Sequence, residues 1–81
     1  MDLVFSARFD QSLRAAPEEV QRAFWKQAAF LLTSLNHPSL RAKKYNSPAG
    51  VWQARVNRSW RFYFKIIRAA YYLVDITTHP K

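Results

Sequence analysis

Val51-Trp52-Gln53-Ala54-Arg55-Val56-Asn57-Arg58-Ser59-Trp60-Arg61-Phe62-Tyr63-Phe64-Lys65-Ile66 is the stretch whose reading decides the fold. Both of its arms alternate with period two. Trp52, Ala54 and Val56 interleave with Gln53, Arg55 and Asn57, and Trp60, Phe62, Phe64 and Ile66 interleave with Arg61, Tyr63 and Lys65. Successive strand side chains point to opposite faces, so the pattern predicts antiparallel strands with one buried and one wet face. A loop through Asn57-Arg58-Ser59 pairs Val56 with Trp60, Ala54 with Phe62 and Trp52 with Phe64, which makes one face wholly apolar. The same register sets Arg55 opposite Arg61 and Gln53 opposite Tyr63. A loop one residue shorter would set Asn57 against Trp60 and mix both faces. Such a slip is costly where one face is buried, so the first register is expected.

The register has a chemical consequence. Two arginines facing each other across a ladder repel. The repulsion is tolerable where an anion sits between them, because each guanidinium can grip phosphate oxygens in a fork.

On the C-terminal side, Tyr71 to Thr77 reads as a third strand of the same meander. A turn through Arg68-Ala69-Ala70 predicts Tyr72, Val74 and Ile76 on the core face and Ile67, Tyr71 and Leu73 on the wetter one. It also sets Asp75 opposite Tyr63 and Thr77 opposite Arg61. On the N-terminal side, Ser39 to Gly50 reads as a cationic linking segment carrying Arg41, Lys43 and Lys44. The chain's single glycine, Gly50, closes a Pro48-Ala49-Gly50 turn where an unusual backbone angle is expected. Before the linker, Pro17 suits a first helical position, and Glu18 and Glu19 suit the first turn. That helix is expected to run to about Leu35, with Val20, Phe24, Ala28, Leu31, Leu32 and Leu35 as its apolar stripe, ended by Asn36, His37 and Pro38. A shorter helix is expected over Ala7 to Ala16, capped by Ser6, with Phe9 and Leu13 facing inward. Leu3-Val4-Phe5 opens the chain as a strand. The expected architecture is α+β in the order β-α-α-β-β-β, two helices on an antiparallel sheet, with residues 1–81 forming one domain.

Composition narrows the function. The net charge is +8, and no acidic residue lies between Val20 and Val74. A folded surface of one sign repels itself and suits a polyanionic partner. There is no cysteine, which removes disulfides, thiolate chemistry and cysteine-held zinc. His37 and His79 are the only imidazoles and lie far apart in sequence, so no metal and no cofactor is expected. No apolar run is long enough to span a membrane or to form a signal-peptide core, so no membrane partner is expected and a prokaryotic cytoplasm is the simplest location. Metal-dependent phosphodiester cleavage needs clustered carboxylates, and Asp75 alone is not a cluster. The residues present suit RNA cleavage in which the ribose 2′-hydroxyl attacks its own phosphate. Arg61 and Arg55 would carry the charge on the crowded phosphate, and Tyr63 or His79 could move a proton. Lys43 and Lys44 suit electrostatic positioning of the strand. Each has an ordinary alternative: a solvated strand residue for Arg55, Arg61 and Tyr63, and a surface imidazole for His79. Trp52 and Trp60 stand at core parity and read as packing.

The His37-Pro38 helix end, the Arg41-Ala42-Lys43-Lys44-Tyr45 segment, the Val51 to Val56 strand, the Trp60 to Ile66 strand and the closing Asp75-Ile76-Thr77-Thr78-His79 together resemble one known family. They look like the RelE/ParE superfamily of toxins from type II toxin–antitoxin systems, nearest its RelE branch, over nearly the whole chain. The resemblance implies an mRNA endonuclease acting on the ribosome without a metal, and a cognate antitoxin that neutralises it. Carried over by position, Arg61 matches the family's strand arginine and Arg55 a basic position on the preceding strand. His79 or Lys81 falls where many members keep a histidine or basic residue. Arg41, Lys43, Lys44, Gln53, Arg58 and Lys65 become the expected RNA-binding set. Gln53 departs from the lysine often found there. Members usually continue into a C-terminal segment that can carry a catalytic tyrosine, whereas the tyrosines here are Tyr45, Tyr63, Tyr71 and Tyr72. Two other readings stay open: a ParE-like inhibitor of DNA gyrase, and an inactive relative that only binds antitoxin or RNA.

Overall fold

The computed structural model describes residues 1–79, so the candidate Lys81 lies outside the described residues. The chain runs β1 (Asp2–Phe5), α1 (Ala7–Ala15), α2 (Glu18–Thr33), β2 (Lys43–Asn46), β3 (Val51–Arg55), β4 (Trp60–Ile67) and β5 (Ala70–Thr78). The five strands form one sheet in the order β1-β5-β4-β3-β2.

Local chemistry explains the helix ends. Ser6 has extended backbone angles, and its hydroxyl accepts the Phe9 amide at 3.0 Å, so it caps α1 as expected. Pro17 disfavours a helical residue before it, and Ala16 is accordingly extended, which stops α1. Pro17 stands one place earlier than expected, at the N-cap of α2 rather than inside its first turn, where its carbonyl accepts the amides of Val20 and Gln21. α2 stops at Thr33, short of Leu35, because Ser34 is already extended. His37 then folds back and stacks flat on Phe30, 3.9 Å between ring centres.

Both helices cover one face of the sheet. Phe9 of α1, Phe24 and Leu31 of α2, Phe62 and Phe64 of β4 and Leu73 of β5 are fully buried between the layers. Phe24 meets Phe9 at 5.1 Å and Phe62 edge-on at 5.3 Å. Each such side chain contributes about 1.5–3 kcal/mol by leaving water. Trp52 and Trp60 pack against this core as expected. Leu32, expected in the α2 stripe, is exposed, and Gln27 occupies the buried stripe instead.

The β3–β4 hairpin has the expected register: Trp52 lies opposite Phe64, Gln53 opposite Tyr63, Ala54 opposite Phe62 and Arg55 opposite Arg61. Three expectations are corrected. The sheet is mixed rather than antiparallel, because β1 runs parallel to β5 at its edge. Lys43 to Asn46, read as part of a linker, forms a strand against β3. The β4–β5 turn has Ile67 opposite Ala70, so only Arg68 and Ala69 lie in it, with Arg68 taking the positive φ of 55° that a tight turn requires. A bulge then shifts the register so that Phe64 faces Leu73 while Tyr63 faces Asp75, with Val74 as the extra residue. The bulge inverts the expected faces at the start of β5. Tyr71 and Leu73 are buried and Tyr72 is exposed, while Ile76 keeps its core position. Asp75 opposite Tyr63 and Thr77 opposite Arg61 stand as expected.

Beyond Phe5, β1 leaves the sheet and α1 lies along the rest of β5. Ser6 bonds to both the Leu73 and Val74 carbonyls. Farther along, the Asp75 carboxylate accepts the Ser12 hydroxyl at 2.7 Å and pairs with Arg8 at 3.3 Å.

Candidate functional site

The open face of the sheet carries the polar half of the β3–β4 alternation. Within the Arg55–Arg61 pair, the Arg55 amide donates to the Leu40 carbonyl at 2.7 Å and the Arg55 carbonyl accepts from Gln27 at 2.8 Å. Both backbone groups therefore point away from β4, and the pair is of the non-hydrogen-bonded kind, in which facing side chains are closest. The hairpin loop holds the two guanidinium groups together. Arg61 Nη1 donates to the Asn57 carbonyl at 2.8 Å, and Arg55 Nε donates to the same oxygen at 3.3 Å. Arg61 also reaches the Trp60 carbonyl at 3.0 Å. Asn57 shapes that loop through its side chain, whose oxygen accepts the Ser59 and Trp60 amides, each at 2.9 Å.

The electrostatics match the geometry. Burial lowers the Arg61 guanidinium from its ordinary value, Arg55 lowers it further, Tyr63 acts in the opposite sense, and Arg41 adds to the lowering. A guanidinium stays protonated in a protein, so the site holds a partly desolvated positive charge beside a second one. Among the described residues the ion pairs are Arg8–Asp75 and Arg22–Glu18, and neither touches this pair.

Arg41, Lys43, Gln53, Arg55, Arg61 and His79 line one cleft of about 320 Å³. His79 reaches it because its amide bonds to the Ser59 carbonyl at 2.7 Å, which ties the end of β5 to the hairpin tip. Gln53 is buried, and its amide nitrogen donates to the Tyr63 hydroxyl at 3.2 Å. Tyr63 lies behind Gln53, in a neighbouring hollow it shares with Tyr45, Val74 and Asp75. Its ring meets Tyr45 at 5.0 Å. Lys44 pairs with Trp52 and so lies on the other face of the sheet, outside the cleft, with its ammonium 5.6 Å from the Trp52 ring, within cation–π range. Arg58 is exposed at the hairpin tip near His79. Lys65 is at the far end of the open face, with Val4 and Tyr72, and does not join the cleft.

Sequence reasoning missed the residue that holds the cleft wall. β2 departs from the ladder before it reaches Arg55, and Arg41 turns into the left-handed region at φ 46°. Gln27 replaces the lost strand neighbour. Its side-chain nitrogen bonds to the Arg55 and Ser39 carbonyls at 2.8 and 2.9 Å, and its oxygen accepts the Ser39 hydroxyl at 3.0 Å. The available signal was its spacing: position 27 falls between Phe24 and Leu31 on the apolar stripe, where a polar residue must satisfy something buried. Among the described residues no group of three or more His, Asp or Glu side chains comes together as metal ligands. Among them, too, no helix is long and apolar enough to cross a membrane.

Two helices laid over a five-stranded mixed sheet in this order form an α+β fold that matches solved structures of RelE/ParE-like toxins. Among solved structures, the chain superposes on YafQ from E. coli with a TM-score of 0.79 at 16% identity, covering 96% of this chain and 92% of that one. It superposes on a YoeB/ParE toxin from Agrobacterium tumefaciens with a TM-score of 0.69 at 15% identity, covering 99% and 100%. The E. coli DinJ–YafQ complex matches with a TM-score of 0.67 at 15% identity, covering 96% and 92%. At these identities the likeness is one of fold. No protein-family model matches the sequence, and no curated protein matches it.

Proposed function

We propose that this chain is the toxin of a type II toxin–antitoxin pair and cleaves mRNA on the ribosome. The observation that carries the reading is the Arg55–Arg61 pair, held on one carbonyl and open to a cleft with Arg41, Lys43 and His79. A like-charged, partly desolvated pair costs stability, which an incoming phosphate offsets with bidentate, charge-assisted hydrogen bonds. The shared fold with YafQ and with a toxin described as YoeB/ParE supports the toxin role. The solved complex of YafQ with DinJ supports a protein partner that neutralises this chain. We assign it to the cytoplasm.

The chemistry follows from the groups present. The 2′-oxygen forms a new bond to the adjacent phosphorus, and the bond from phosphorus to the 5′-oxygen breaks, leaving a cyclic phosphate. One proton leaves the 2′-hydroxyl and one reaches the departing 5′-oxygen. Arg55 and Arg61 take the charge that accumulates on the phosphate oxygens. His79 shares the cleft with them and is the better placed of the proton carriers, since Tyr63 stands behind Gln53. Arg41 and Lys43 hold the strand by its backbone.

The test is primer extension on a message being translated in a purified system. Cuts on ribosome-bound message that vanish with Arg61→Ala, while that variant keeps its fold, are the expected result. An intact message with folded wild-type protein overturns the endonuclease reading and moves attention to DNA gyrase or to binding alone.

A further inference from the structure

A second cationic hollow lies on the other side of Arg41 and Arg55. It has a volume of about 610 Å³, and it is walled by Lys26 of α2, Pro38, Ser39, Arg41, Arg55 and Arg58 of the hairpin tip. It is within the range of sites that enclose a small organic ligand such as a nucleotide. Four cations from three separate parts of the chain converge on it: Lys26, Arg41, Arg55 and Arg58. No carboxylate lines it, and among the described residues none of the four is in an ion pair. Ala23 and Val56 supply a small apolar floor. Gln27, also in the wall, spends its amide on Ser39 and Arg55 and serves as a brace.

The two hollows share Arg41 and Arg55 as a common ridge. Arg41 occupies the left-handed region at φ 46°, a conformation that a non-glycine side chain adopts at a cost. Such outliers persist where the surroundings enforce them, and they concentrate at ligand sites. Here the departure from the β2 ladder puts one guanidinium on the ridge between two anion-attracting spaces.

We propose that the Lys26–Arg58 hollow binds the phosphodiester backbone of the same RNA strand, beside the phosphate that is cut. The proposal rests on the endonuclease reading for the identity of the strand, and it extends the contact surface by a neighbouring nucleotide. The strand crosses the Arg41–Arg55 ridge, with one phosphate against Arg61 and the next against Lys26 and Arg58. Recognition in the second hollow is by charge and is therefore indifferent to base.

The probe is single-stranded RNA with a 2′-O-methyl group at every position, which blocks cleavage, read by fluorescence anisotropy over a salt series. A trinucleotide fills the first hollow alone, and a longer oligonucleotide reaches both. Each phosphate contact with single-stranded nucleic acid contributes about 0.7 to the slope of log affinity against log salt. The double variant Lys26→Ala, Arg58→Ala removes the contact to that one phosphate and is expected to lower the slope by about 0.7 for the longer oligonucleotide and to leave trinucleotide binding unchanged. Both residues are exposed, so folding is checked by the thermal transition. Equal slopes for variant and wild type on the longer oligonucleotide overturn the proposal, as does a wild type that gains nothing from the added length. A variant that loses affinity for purified ribosomes yet keeps the length dependence overturns it too, in favour of ribosomal RNA as the occupant. The endonuclease reading fails separately, through an intact message in the translation assay, and leaves the slope measurement readable.

Discussion

Replacing Gln27 with methionine removes an amide from the core while nearly conserving shape. Three hydrogen bonds go with it, two to Ser39 and one to the Arg55 carbonyl. The losses are unequal. Ser39 is exposed, so its groups turn to water at little net cost. The Arg55 carbonyl is the ladder acceptor that β2 no longer reaches, and it faces the side chain at position 27. Leaving it without a partner costs about 1–3 kcal/mol, and the thioether adds only a small gain in transfer free energy. A net loss of about 2 kcal/mol corresponds to a fall in Tm of roughly 8–16 °C for a domain of this size. Urea unfolding followed by tryptophan fluorescence measures it, and the dependence on urea is expected to stay unchanged because the area exposed on unfolding is the same. The effect should reach the site as well, since Gln27 holds the backbone of Arg55, which lies opposite Arg61. RNA affinity should fall in the folded variant. A variant within about 0.5 kcal/mol of wild type would refute the assignment of Gln27 as the brace.

Other outcomes follow from the same structure. Inorganic phosphate should raise the Tm of the wild type by binding the folded state, and should do so far less for Arg61→Gln; equal shifts would remove the arginine pair as an anion site. Without phosphate, Arg61→Gln should be no less stable than wild type, since burial and Arg55 both disfavour the native charge. Folding lowers the proton affinity of Arg61, so the folded chain holds no more protons there than the unfolded chain. Its contribution to stability therefore rises with pH, and only on approach to the strongly alkaline range where arginine titrates, so wild type and Arg61→Gln should show parallel stability profiles from neutral to mildly basic pH. Arg68→Gly should stabilise the β4–β5 turn by about 0.5–1 kcal/mol in thermal unfolding, because glycine adopts the positive φ without strain. Asn57→Ala should cost about 1 kcal/mol and speed amide exchange at Ser59 and Trp60, with protection at Phe62 unaffected.

The hairpin that carries the site was legible because its parity leaves one acceptable register. Alternation from Trp52 to Phe64 fails in any other pairing, so Arg55 opposite Arg61 followed from the apolar residues around them. The faces of β5 were not legible for the same physical reason in reverse. Tyr71 and Leu73 are as apolar as Tyr72 and Val74, so either set can face the core and the bulge at Val74 decides between them. β2 was hidden because Lys43, Lys44, Tyr45 and Asn46 are all exposed and carry no alternation, and the strand exists only through its backbone pairing with β3. The parallel edge of the sheet depends on where the two helices return the chain, which no local pattern encodes. Of the residues that resemblance placed at the site, the cleft gathers Arg41, Lys43, Gln53, Arg55, Arg61 and His79. Lys65 belongs to the same strand face but lies too far along it, since parity fixes a side and says nothing of position along the strand. Gln27 was not legible because its partners, the Ser39 and Arg55 carbonyls, are set by tertiary packing and not by local pattern.

The last consequence concerns β2 as the outer rim of the sheet. A sheet rim offers unpaired amides and carbonyls on which another molecule of the same protein can add a strand, the first step toward aggregation. This rim is short, is interrupted between Lys44 and Asn46, and presents two ammonium groups. An approaching copy would bring its own pair of lysines against them. The charges that suit a polyanion on the open face thus also keep neighbouring molecules from zipping together, and any partner that neutralises Lys43 and Lys44 must cover the rim it disarms.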